Sequence, residues 1–128
     1  MRAGLPFLRS CWAESRGNSI VEFALVLPAF LMLVIGGFNA ALAVFAASNM
    51  QYAAEAASRC ASVKTTVCTN TSTTATYARA RASGAASSAT FVASSAACGH
   101  LVSGTLSYKM SLGVTAITIP LTARACFP

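Results

Sequence analysis

Hydrophobic positions along this chain change their spacing from segment to segment. From about Ile20 to Ala47 they are nearly continuous, strongest between Phe23 and Phe38 and milder through "NAALAVFAA". At about 1.5 Å per residue, a helix of this length covers the roughly 30 Å hydrocarbon core of a bilayer with some turns left over. The pattern therefore predicts a transmembrane helix that continues as a stem through "SNMQYAAEAASRCA" to Ala61. On that stem Glu55 and Arg59 stand at i, i+4 in the favourable order, the mark of a solvated helix face. Ser62 to Thr74 is rich in β-branched and hydroxyl residues and reads as a loop. The Ala/Ser mixture from about Ala75 to Ala97 predicts a second helix, interrupted near Gly84.

In the last quarter the period becomes two. Leu106, Tyr108, Met110 and Leu112 alternate with polar neighbours, and Ile117, Ile119, Leu121, Ala123 and Ala125 do the same. Two strands are expected, with Gly113 supplying a tight turn that sets Tyr108 opposite Ile117 and Leu106 opposite Ile119. Pro120 cannot donate to a ladder, so the second strand should be an edge or break there. The expected fold class is α+β: a long N-terminal transmembrane helix continuing into a small exported domain with a second helix and a C-terminal β-hairpin.

Composition narrows the function. Of 128 residues 55% are hydrophobic and only 9% charged, far below the roughly 25% charge of ordinary soluble domains. Asp is absent, His100 is the one histidine, and the acids are Glu14, Glu22 and Glu55. Most acid/base and Ser/His/Asp arrangements cannot be assembled from this set, so no catalytic residues, cofactor or small-molecule substrate are expected. The net charge of +6 suggests a nucleic-acid binder, but the cations are scattered and export would remove that partner. Arg2, Arg9 and Arg16 precede the apolar run, whereas "SNMQYAAE" after it carries no cation. By the positive-inside rule the N-terminus stays in the cytoplasm and the C-terminal part is exported.

Within the apolar run Glu22 is the anomaly. A central carboxylate costs about 2.5 to 3.5 kcal/mol on insertion scales, so it wants a partner or a shallow position from which to snorkel. Three N-termini compete. A secretory signal would be cut behind the apolar run, near Ala41 to Ala43 or Phe45 to Ala47; a plain signal anchor would stay whole. The third explains more residues: the N-terminus resembles a prepilin-type leader that ends at Gly17 and is cut before Asn18. The new amine on Asn18 would then lie four residues before Glu22, on the same helix face.

The run "RGNSIVEFALVLPAFLMLVIGG" followed by "MQYAAEAASRCA" is similar to the TadE-like minor pseudopilins of tight adherence (Tad/Flp) pili. That resemblance covers about Arg16 to Ala61. It implies a leader at 1–17, a transmembrane and stem helix at 18–61, and a small exported domain at 62–128. It also implies processing at Gly17 and Asn18, and assembly through Glu22, Phe23 and Pro28, with Pro28 standing where the family motif has its proline. The implied protein is a non-catalytic pilus subunit of the bacterial inner membrane, single-pass, with a periplasmic or extracellular C-terminal domain. Its implied partners are that membrane, a prepilin peptidase, and the other Tad pilus subunits and assembly proteins. The alternative is an exported structural or adhesive protein held by an uncleaved signal anchor.

Cysteine usage agrees with export. Cys11 lies in the leader, leaving Cys60, Cys68, Cys98 and Cys126, an even number on the oxidising side. Four cysteines allow three connectivities. The expected hairpin register favours 60 with 68 and 98 with 126, although strict strand alternation would put Cys98 and Cys126 on opposite faces. A zinc site from these thiols and His100 competes less well, because no C-x-x-C pair is present. His100 otherwise reads as a surface loop residue.

Overall fold

The computed structural model describes residues 18–111 and 115–128. Helix α1 (Asn18–Val63) is followed by α2 (Thr71–Arg81), a 3-10 turn (Gly84–Ser88), and strands β1 (Thr90–Ala96), β2 (Gly99–Ser111) and β3 (Ala116–Phe127). The three strands form one antiparallel sheet in the order β1-β2-β3. The chain divides into two units, one reaching to Ile35 and the other running from Gly36 to Pro128.

Up to Ile35 the described chain is helix alone. Its large side chains are exposed on every side, Leu25 and Leu33 by 75% and 72%, as expected of a helix whose surroundings are lipid rather than protein. Pro28 lies inside the helix, which continues through it. Its ring leaves no N–H for the carbonyl of Ala24.

From Gly36 on, the helix acquires a buried face. Ala43, Ala46, Met50, Ala53, Ala57 and Cys60 recur at spacings of three and four and are all buried, which is the stripe a 3.6-residue period makes. Most of these side chains are methyl groups, so the helix axis can come close to the sheet. Met50, Ala53, Ala54 and Ala57 share a core with Ala78 of α2, Ala86 of the 3-10 turn, and Phe91, Val102 and Ala123 of the sheet. Room is made by Gly104, which faces Phe91 across the ladder. A Cβ there would stand 2.8 Å from Cε1 of Phe91 and 3.5 Å from Cε of Met50.

Helix α2 starts four residues earlier than the expected second helix because Asn70 and Thr73 form a capping box. Thr73 N–H donates to Oδ1 of Asn70 at 2.9 Å, and Asn70 N–H donates to Oγ1 of Thr73 at 3.0 Å. Such a cap is worth about 1 kcal/mol. The helix also ends early, at Arg81, where Ala82 turns extended. Thr90–Ala96, expected to be helical, is β1 instead. Phe91 points into the core while Thr90 and Val92 face out, and β-branched residues suit that half-buried strand.

The expected hairpin is present as β2–β3, with a different register. Tyr108 faces Ile119, Leu106 faces Leu121 and Met110 faces Ile117. The last pair before the turn is Ser111 with Ala116, so the connection has four residues rather than two; Gly113 lies outside the described residues. A shift of two leaves every side chain on its original face. β3 is an edge strand that runs through Pro120 unbroken.

Candidate functional site

The residues singled out for processing and assembly belong to the first unit. Gly17 lies outside the described residues, and Asn18 opens α1. Glu22 and Phe23 are exposed, as is Pro28. On a helical wheel they do not share a face: Phe23 lies about 100° from Glu22, and Pro28 about 240°. Glu22 shares its face with Ser19 before it and with Leu25 and Val26 after it, the last two exposed. A single carboxylate thus stands one turn inside an otherwise apolar cylinder, beyond the polar pair Asn18 and Ser19. Ser19–Val63 is long and apolar enough to cross a membrane, with a mean hydropathy of 2.3 over its most apolar window, none of which is buried. It is a candidate single span.

In the second unit the cysteines form two disulfides. Cys60 and Cys68, with Cα atoms 5.8 Å apart, tie the last turn of α1 to the loop after it. That loop is reinforced by Lys64 N–H donating to the carbonyl of Cys60 at 2.8 Å and Cys68 N–H donating to the carbonyl of Lys64 at 3.0 Å. Cys98 and Cys126 are bonded with Cα atoms 6.2 Å apart. Cys98 sits in the two-residue turn between Ala96 and Gly99, so strand alternation does not govern where its side chain points. Paired sulfurs are not thiolate ligands. His100 stands in β2 rather than in a loop, exposed and opposite Phe127.

Gly99 shapes this corner. Its φ is +113°, and a Cβ would lie 2.3 Å from the carbonyl oxygen of Phe127 and 2.6 Å from Cα of Pro128. Nearby, the Arg59 guanidinium lies 5.5 Å from the Phe127 ring centroid. Glu55 accepts from the Gln51 amide at 3.2 Å. The stem pair expected between Glu55 and Arg59 is thus replaced by two other contacts.

Gln51 also does something that its sequence surroundings did not signal. Its Nε2 donates to the carbonyl of Arg124 at 3.0 Å, and Arg124 N–H donates to its Oε1 at 3.3 Å. One side-chain amide therefore pairs with the outer edge of β3 as a strand would. Residues of the same parity as Arg124 turn their backbone groups outward, Pro120 among them. Its missing N–H costs the ladder nothing and blocks a foreign strand. Beside the stem, Tyr52, Glu55, Arg59, Val63, Lys64 and Tyr77 line an open groove of about 420 Å³. Among the described residues no cluster of three or more His, Cys, Asp or Glu is placed to hold a metal.

The family described as TadE-like protein has a model that matches residues 17–59, about a third of the chain. The matched segment runs from Gly17 through the apolar helix and along its buried alanine stripe to Arg59. It is consistent with a TadE-like protein of the Tad pilus, a family that is in general structural and non-enzymatic. No curated protein and no solved structure matches the chain.

Proposed function

We propose that this chain is a TadE-like minor pseudopilin, a non-catalytic subunit of a Tad pilus. It is held in the inner membrane with its N-terminus in the cytoplasm and the small domain at 62–128 outside. In this reading a prepilin peptidase cuts between Gly17 and Asn18, and α1 stays in the bilayer as an assembly stem. The freed amine of Asn18 then pairs with the carboxylate of Glu22, within the chain or on a neighbouring subunit. Phe23 and Pro28 shape the same stem for packing against other pilus subunits.

The observation that carries the proposal is the family match beginning at Gly17, on a helix whose apolar run carries one acid, Glu22, four residues after Asn18. An unpaired carboxylate at that depth is disfavoured, and a new amine on the same face offsets the cost. Arginines on one side only of the apolar run support the orientation. The two disulfides support an oxidising compartment for the second unit.

The test is N-terminal sequencing of the protein made in a host with its own prepilin peptidase. A mature chain starting at Asn18 is expected, with Glu22→Gln leaving the cut intact and lowering incorporation into the pilus assembly. A start near Val44 or Ser48 would mean a secretory signal, and an unprocessed chain would mean a plain anchor.

A further inference from the structure

The β2–β3 hairpin has a direction relative to the helical part of its own unit. Gln51 meets Arg124, and eight residues further along α1 Arg59 meets Phe127, three residues along β3. One more turn along, the Ser62 hydroxyl donates to the carbonyl of Pro128. Eight helical residues rise about 12 Å and three strand residues about 10 Å, so β3 runs parallel to α1. Followed backward, the seven residues from Arg124 to Ile117 cover about 23 Å. That distance corresponds to about fifteen helical residues, which brings Ile117 level with the start of this unit, near Gly36 to Phe38. Burial along α1 agrees: Ala43 is buried and Asn39, one turn earlier, is half-buried.

Large apolar side chains are exposed at this end of the unit. Phe38, Leu42, Val44 and Phe45 of α1 are exposed by 41% to 66%, and Ile117 of β3 by 44%. These helix residues belong to the apolar run. We propose that the distal half of the hairpin is a lipid-contacting arm, resting in the headgroup layer of the bilayer that α1 enters. Ile117 meets the acyl-chain boundary there, and Lys109 reaches the phosphates.

Three features favour a lipid surface over another occupant. Ile117 is exposed on the hairpin at the level where the apolar run of the helix exposes Phe38 and Leu42. Lys109 is exposed, Tyr108 is half-buried on the other face of the sheet, and no acid lies in β2 or β3; aromatic and cationic residues are the usual occupants of a membrane interface. Depth is limited by the edge of β3, whose outward N–H groups at Thr118 and Thr122 need water or headgroups as partners. The arm therefore lies in the interface and not in the hydrocarbon.

The inference rests on the reading that α1 crosses the membrane, and the experiment separates the two. Full-length protein with Trp12→Phe, which removes the one native tryptophan, is reconstituted in phosphatidylcholine/phosphatidylglycerol vesicles with acyl chains brominated near the headgroup. Single tryptophans are placed by Phe30→Trp in the span, Ile117→Trp on the arm, and Val92→Trp on the solvent face of β1. Expected is quenching of Trp at position 117 about twofold or more above that at position 92, as an interfacial depth implies. Quenching at 117 no greater than at 92, with position 30 quenched, overturns the arm and leaves the span standing. Absence of quenching at position 30 in a parallel series with lipids brominated deep in the acyl chain, the depth at which that residue lies, overturns both. Ala116→Trp, on the opposite sheet face at the same level, takes the place of Ile117→Trp if that variant fails to form both disulfides.

Discussion

Gly104→Ala adds one methyl group at the point where helix, β1 and β2 converge. The new Cβ would stand 2.8 Å and 3.0 Å from Cε1 and Cδ1 of Phe91, with Cε of Met50 at 3.5 Å. Phe91 is 3% exposed and Met50 fully buried, so the ring has nowhere to retreat without moving α1 or tilting off its rotamer. Overpacking of this kind costs about 1 to 3 kcal/mol. Alanine also restricts the unfolded chain, which returns about 0.5 to 1 kcal/mol. The two ranges leave a loss of about 0 to 2.5 kcal/mol, and contacts as short as 2.8 Å on a buried ring put it at about 1 to 2 kcal/mol, a melting temperature lower by about 4 to 8 °C per kcal/mol for a unit of this size. Thermal unfolding of the full chain in mild detergent, followed by near-UV circular dichroism, measures it. Phe91→Leu removes the ring edge that the methyl strikes, so in the Gly104→Ala background it should cost less than it does alone. The coupling between the two should be about 0.5 kcal/mol or more. A Gly104→Ala protein as stable as the wild type, or a pair whose effects simply add, would refute the claim that this glycine exists to seat the ring.

Gly99→Ala should be more damaging than Gly104→Ala, because its clash is with the backbone of Phe127 and Pro128 at a φ of +113°. Non-reducing peptide mapping is expected to show loss of the Cys98–Cys126 bond. Asn70→Ala removes the capping box of α2 and should cost about 0.5 to 2 kcal/mol by the same unfolding assay, with Asn70→Asp nearly silent. For the disulfides, the entropic account scales with the loop closed. Replacing Cys98 and Cys126, separated by 28 residues, should therefore cost about 1 kcal/mol more than replacing Cys60 and Cys68, separated by 8. Equal losses would point to native-state packing rather than loop closure.

The parts of this fold that were legible in sequence are those with large side chains at a clear period. The apolar run, the stem and the Leu106–Met110 and Ile117–Leu121 alternations all announce themselves in that way. The segment between them did not, and the reason is physical. The sheet receives α1 through a seam of alanines, with Gly104 opposite Phe91, and a core built from methyl groups gives almost no contrast between inward and outward positions. The boundary between helix and strand near Ala89 then depended on one ring, Phe91, whose burial only the folded chain reveals.

The register of β2 on β3 was hidden differently. Moving one strand by two residues keeps each apolar side chain inward, so the pattern cannot tell Tyr108 facing Ile117 from Tyr108 facing Ile119. What distinguishes them is tertiary. Gln51 pairs with Arg124 and the Phe127 ring sits under Arg59, which fixes how far β3 reaches along the stem. The same contacts decide the level of Ile117 along the helix, and hence whether the hairpin meets lipid. A two-residue slip moves the arm by about 7 Å, enough to lift an interfacial side chain clear of the headgroups. The edge contacts of Gln51 thus bear on the register and the lipid contact together: Gln51→Ala removes both bonds to Arg124, and if those bonds hold the register, quenching of a tryptophan at position 117 should fall along with stability.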